Sequence, residues 1–274
     1  MAPHFILGAP RSGTSLLFDL VTKHSNLLSL KNTDDLLRNT RFFGIFASFD
    51  PIERGFRSQY HKKNDFSNLI PRKSEVFRFL TDTLGEEFTR GYKFNVAPTV
   101  IESNRFQRAT YQVSDFRGRA HSKLIYKITG PAKIKFLEHI FPESRFVFIR
   151  RARERQVASL AKTFFWQQGY GKGLWWKYDL PDFADMKTAE YFRQSAPHPI
   201  SHELARTEFE LDLIEKDFED QCLRATSVTK VLTVSYEDLI NDPVEVVSTV
   251  WNHFELDVRQ CDIRLIEKYK VHGR

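Results

Sequence analysis

Residues 8–15 read GAPRSGTS; the apolar run HFIL (4–7) precedes them, and TSLLFDLVTKH begins inside them at Thr14. In that second stretch Leu16, Leu17, Leu20 and Val21 recur at helical spacing. A buried strand, a glycine turn and a helix in direct succession leave the chain few ways to fold. The glycines let the backbone wrap an anion and aim N–H groups at it, while the helix starting near Gly13 adds the positive end of its dipole. The spacing fits the phosphate-loop frame G-x-x-x-x-G-K-[ST] at every position but one, because Thr14 stands where the lysine belongs. The nearby cation is Arg11, inside the loop, and Ser12, Thr14 and Ser15 add hydroxyl donors.

The same alternation continues downstream. LLSL (27–30), KLIYKI (123–128), RFVFI (145–149) and KVLTVS (230–235) are short apolar runs of the kind buried on both faces, with helical patterns between several of them. The order predicts an α/β fold with a parallel sheet and helices on both faces. Residues 34–122 read as mostly helical, SEVFRFLTDTLGEEF (74–88) most clearly. The stretch 163–183 holds eight aromatics and three glycines, which suits a ligand-facing loop or a helix pair packed on the core.

With 274 residues, 41% of them hydrophobic, and 25 Phe, the chain can bury a large core as a single domain spanning 1–274. The end at KYKVHGR comes soon after the last recognisable helix, so a domain truncated at its C-terminus or a module of a longer protein also fits. No apolar run approaches the ~20 residues of a membrane span and no signal peptide is recognisable, so stable membrane insertion is not expected. Cys222 and Cys261 lack metal-ligand spacing, which argues against a zinc site or disulfide scaffold and for a reducing, cytoplasmic setting. The net charge of +6 is spread without a nucleic-acid module, so a small anion is expected in preference to nucleic acid.

A magnesium-dependent kinase wants the loop lysine and an acid at a later strand end. Here RFVFI runs into Arg150, Arg151 and Arg153, so the second anion site is read as held by protein charge and no metal is assigned. KVLTVSYED does end in Glu237 and Asp238, which keeps a P-loop kinase using ATP and magnesium as the alternative. A nucleotide-binding module without catalysis is the third reading.

Two separate anion sites are what 3′-phosphoadenosine 5′-phosphosulfate (PAPS) presents, and the sequence resembles the PAPS-dependent sulfotransferases. GAPRSGTSLL resembles their 5′-phosphosulfate loop, with Arg11 in the basic position before S-G-T. FPESRFVFIRRARERQVAS (141–159) resembles their strand-turn-helix for the 3′-phosphate. Counting from Phe141-Pro142 puts the family's arginine at Arg151 and its serine at Ser159; a rival register starts at Arg150 and puts Ala158 where the serine belongs. YEDLINDP (236–243) and KITGP (127–131) resemble two further family segments, and together these stretches cover roughly a third of the chain. Arg150 and Arg153 are expected to face solvent or to pair with Glu154.

The resemblance implies a P-loop-like three-layer fold and transfer of a sulfuryl group to a hydroxyl or amine of a small-molecule, lipid or carbohydrate acceptor. It implies PAPS contacts from Pro10, Arg11, Ser12, Gly13, Thr14, Ser15, Arg151 and Ser159, with Arg11 and Lys127 stabilising the leaving group. The family's base is in several members a glutamate shortly after the second strand; LLSLKNTDDLLRNTRFF has none, so Asp35 is the candidate beside Asp34. Both carboxylates also suit helix capping. His61 and His121 are alternatives for the base, His139 reads as structural, and Pro199 disfavours a helical metal pair of His198 with His202.

Overall fold

The computed structural model describes residues 1–37, 73–90, 97–116, 122–163, 199–224, 230–261 and 263–270. Its centre is a five-stranded sheet of β1 (His4–Gly8), β2 (Leu27–Ser29), β3 (Lys123–Thr129), β4 (Phe146–Arg150) and β5 (Val231–Ser235). The spatial order is β2-β3-β1-β4-β5 and every pairing is parallel. All five apolar runs expected to be strands are strands. Every residue of β1 is buried, as the middle strand of a covered parallel sheet requires.

Alternate side chains of the sheet enter two separate cores. Phe5, Leu7, Tyr126 and Phe148 face a layer containing α3 (Phe77–Leu84), α4 (Glu86–Arg90), α5 (Val100–Phe116) and α6 (Ile134–Ile140). Ile6, Ile125, Val147 and Ile149 face α1 (Thr14–Val21) together with three later helices, α9 (Tyr236–Asn241), α10 (Pro243–His253) and α11 (Arg264–Lys270). The result is a three-layer α/β fold. Trp251 fastens α10 to α1, its buried indole N–H donating to the Val21 carbonyl at 2.9 Å.

α7 (Arg153–Ala161) and α8 (Pro199–Arg224) make a third cluster in which Val157 and Leu160 meet Leu211 and Ile214 over Ala9. The expected helix over 74–88 is two helices. Val76, at φ 47°, caps the start of α3, and Gly85, at φ 87°, ends it before α4 begins. Among the described residues no helix is long and apolar enough to cross a membrane.

The chain leaves β1 for the β2 side of the sheet and returns after β3 to the β4 side. Strand order therefore reverses beside β1, and the C-terminal ends of β1, β3 and β4 surround one crevice. In open parallel sheets such a reversal is where ligands bind.

Candidate active site

The glycine loop crosses the floor of this crevice. Gly13 takes φ 104° as the N-cap of α1, and a Cβ there would lie 2.3 Å from the Tyr236 ring. Both facts demand glycine. A Cβ on Gly8 would lie 2.6 Å from Ser12 Oγ and 2.9 Å from the Ile149 carbonyl. Arg11 is held at φ 64°, in the left-handed region a non-glycine residue rarely adopts. Two contacts fix the turn: the Ser12 N–H donates to the Ala9 carbonyl at 3.1 Å, and buried Gln156 of α7 donates to the Pro10 carbonyl at 2.8 Å.

Arg11, Arg151 and Ser159, the sequence's candidates from two distant segments, meet here. Arg11 Nε donates to Ser159 Oγ at 3.1 Å, and Arg151 donates to the Arg11 carbonyl at 3.1 Å. The Arg151 guanidinium also lies 4.5 Å from the centre of the Tyr236 ring. Ser159 is half-buried against the loop while Ala158 is exposed, so the helix face that meets Arg11 is the serine's.

The other two arginines face α8. Arg150 pairs with Glu219 at 2.9 Å; Arg153 pairs with Asp212 and, at 3.3 Å, with Glu215. The partner expected from sequence, Glu154, is not the one used. A helix residue and its immediate neighbour do not share a face, whereas α8 lays its acids along the whole row.

The cavity measures about 530 Å³, within the usual range for small-molecule sites, and Pro10, Arg11, Gly13, Thr14 and Ser15 are among its lining residues. Among the described residues its charged lining is Arg11, Lys73, Lys127, Arg151 and a single carboxylate, Glu75. Lys127 Nζ donates to Ser15 Oγ at 3.0 Å and lies 3.4 Å from Glu75, which also accepts the Thr129 hydroxyl. Thr14 Oγ1 lies 3.4 Å from Thr129 Oγ1. Among the described residues, several buried polar atoms have no partner within the protein, Ser12 Oγ in the loop and Arg151 Nε among them, as are Arg150 Nε, Arg153 Nη1 and Gln156 Oε1 nearby.

A sequence profile of the sulfotransferase family matches residues 3–260. The chain belongs to the sulfotransferase family. The structure is similar to that of sulfotransferase STF9 from Mycobacterium avium, with a TM-score of 0.55 at 13% identity over 98% of this chain and 68% of that one. It is also similar to a sulfotransferase from Alicyclobacillus acidocaldarius, with a TM-score of 0.45 at 13% identity over 100% of this chain and 93% of that one. Sulfotransferase STF1 from Mycobacterium tuberculosis H37Rv gives 0.45 at 14% identity, over 99% and 77%. No curated protein matches.

Asp35 and Asp34, the candidates for the base, take the helix-capping role that their sequence also allowed. Asp35 Oδ1 accepts the Phe79 N–H at 2.7 Å and so caps α3; Asp34 accepts the Lys31 N–H at 2.9 Å and caps α2 (Asn32–Leu36). Neither lines the cavity. Glu75 does, and sequence reasoning missed it by placing it inside a continuous helix over 74–88. His139 sits in the last turn of α6. His61, His121, His198 and all of the aromatic stretch 163–183 except Thr163 lie outside the described residues.

Proposed function

We propose that this sulfotransferase takes PAPS as its donor and a hydroxyl or amine of a small-molecule, lipid or carbohydrate as its acceptor. The observation that carries this reading is the meeting of Arg11, Arg151 and Ser159 at one end of a glycine loop. The site's donors fit such a ligand, because the partnerless Ser12 hydroxyl and Arg151 Nε add to four cations around the cavity. Buried polar atoms are rarely left without partners, and an anionic ligand would supply acceptors for both.

When bound, PAPS supplies an activated sulfuryl group whose departure leaves charge on a phosphate oxygen. Arg11, Lys127 and the N–H groups at the start of α1 would meet that charge, while Arg151 and Ser159 would hold the nucleotide's 3′ end. Pro10, Gly13, Thr14 and Ser15 shape the cradle, and Tyr236 backs the Arg151 guanidinium.

The test is titration with the desulfated product PAP in EDTA, followed by turnover of labelled PAPS on an acceptor panel. Tight PAP binding and EDTA-resistant transfer are expected, since the neutralising charges are side chains. Strict magnesium dependence with ATP as donor would replace this reading with the kinase one; binding without turnover would favour a non-catalytic module.

A further inference from the structure

Resting on the donor reading above, we infer that Glu75 is the proton acceptor of the transfer and that Lys127 makes its basicity depend on the bound donor. Among the described residues lining the cavity Glu75 is the one carboxylate, and no histidine lines it. Its side chain is 15% exposed, open enough to be reached from the cavity and closed enough to be held. The backbone that presents it is strained. Val76, the next residue, is a β-branched side chain at φ 47°, and in such a residue this region is an outlier of the kind that gathers at functional sites. Across the same cavity Arg11, a further non-glycine residue, is also held in the left-handed region.

Lys127 stands between the two halves of the chemistry. Its ammonium is shared by Glu75, at 3.4 Å, and by Ser15 Oγ, at 3.0 Å, in the first turn of α1 where an anion would sit. An anionic 5′ group in the loop competes for that ammonium. Thr129 still donates to the carboxylate, and Lys73, Arg11 and Arg151 line the same cavity, but as Lys127 turns toward the anion the carboxylate loses this ion pair and gains a nearby negative charge, and both changes favour its taking a proton. In the transfer the acceptor O–H gives its proton to the Glu75 carboxylate and its electron pair forms the new O–S bond. The S–O bond to the donor phosphate breaks, and that electron pair leaves with the nucleotide bisphosphate beside Lys127 and Arg11.

Two measurements test this on the full chain, with Glu75→Gln, Glu75→Asp and Lys127→Met. PAP titrations by calorimetry in buffers of different ionisation enthalpy read the protons bound. The wild type should take up more protons on binding PAP than Glu75→Gln does. Glu75→Gln should also bind PAP at least as tightly as the wild type, having lost a carboxylate beside an anion. Turnover of labelled PAPS should fall ~10²–10⁴-fold in Glu75→Gln, with the acid limb of its pH profile gone, and recover in part in Glu75→Asp. Lys127→Met should abolish the excess proton uptake. Equal uptake in wild type and Glu75→Gln, or turnover in Glu75→Gln within about threefold of the wild type, overturns the assignment. So does joint loss of melting temperature and PAP binding in both Glu75 variants, which is the signature of a structural ion pair. A wild type that binds no PAP overturns the donor reading itself, and this assignment with it.

Discussion

Arg11 and Arg151 are 140 residues apart yet share a hydrogen bond, because β1 and β4 are neighbours that end at the same edge of the sheet. Replacing Arg151 by Ala should weaken PAP binding by the value of a charge-assisted contact, roughly 1.5–3 kcal/mol or some 10–100-fold, in a calorimetric titration. Arg150→Ala should change it little, since Glu219 already holds that charge away from the cavity. Ser159→Ala should fall between the two. A larger effect at 150 than at 151 would move the anion contact to Arg150. These residues were legible because each sits in a short local pattern, a loop or a strand-turn-helix whose spacing survives in the chain. Glu75 was not, since nothing in SEV distinguishes a carboxylate inside a helix from one just before its cap. The partners of Arg150 and Arg153 were hidden for a related reason: α8 brings its acids from some 60 residues away, and no local pattern records the docking of one helix on another.

At the scale of elements, α8 is held by the apolar contacts of Leu211 and Ile214 with α7, by charge along the row of arginines and by an aromatic contact with the sheet. Phe218 stacks on Phe148 with ring centroids 3.6 Å apart, and the Arg150 guanidinium lies 5.4 Å from the same Phe218 ring. The acids are well exposed, Glu219 at 60% and Asp212 at 62%, and exposed pairs contribute little. Burial of the ring therefore outweighs the ion pairs. Phe218→Ala should lower unfolding free energy by ~3–5 kcal/mol in urea titration, and Glu219→Gln by under ~1 kcal/mol. The opposite ranking would make the ion pairs the anchor. The acids then act as selectors in this arrangement: they occupy Arg150 and Arg153 and leave Arg151 facing the loop.

At the scale of the whole molecule, the middle of the sheet was readable from sequence because strands buried on both faces are near-continuously apolar, as β1 and β4 are; β5, at the sheet's edge, leaves Thr233 exposed and buries Val234. Helix ends were less readable, since α3 begins at a strained valine and ends at a glycine whose roles depend on packing. One buried side chain ties several of these elements together and sets a pH dependence. His4 opens β1, stacks on Phe254 just beyond α10 at 4.5 Å, and accepts the Arg145 N–H just before β4 at 3.3 Å. Burial, with the charge of Lys123 adding to it, pushes its pKa from the ordinary 6.5 down to about 3. A depressed folded value means that its contribution is present above 6.5 and is lost as pH falls toward 3. Asp217, pushed up to about 6 by burial, works in the other direction: its contribution is present below the ordinary 3.8 and lost as pH rises through 6. The two oppose each other between pH 4 and 6, so the wild-type curve alone cannot separate them. His4→Phe keeps a ring against Phe254 and removes the titration together with the acceptor of the Arg145 N–H, whose loss is a pH-independent offset. Its stability relative to the wild type should be constant above pH 7 and should rise as pH falls, by up to ~1.4 kcal/mol per pH unit. A difference that stays flat from pH 7 to 4 in urea unfolding would mean that His4 accepts its proton without leaving the fold.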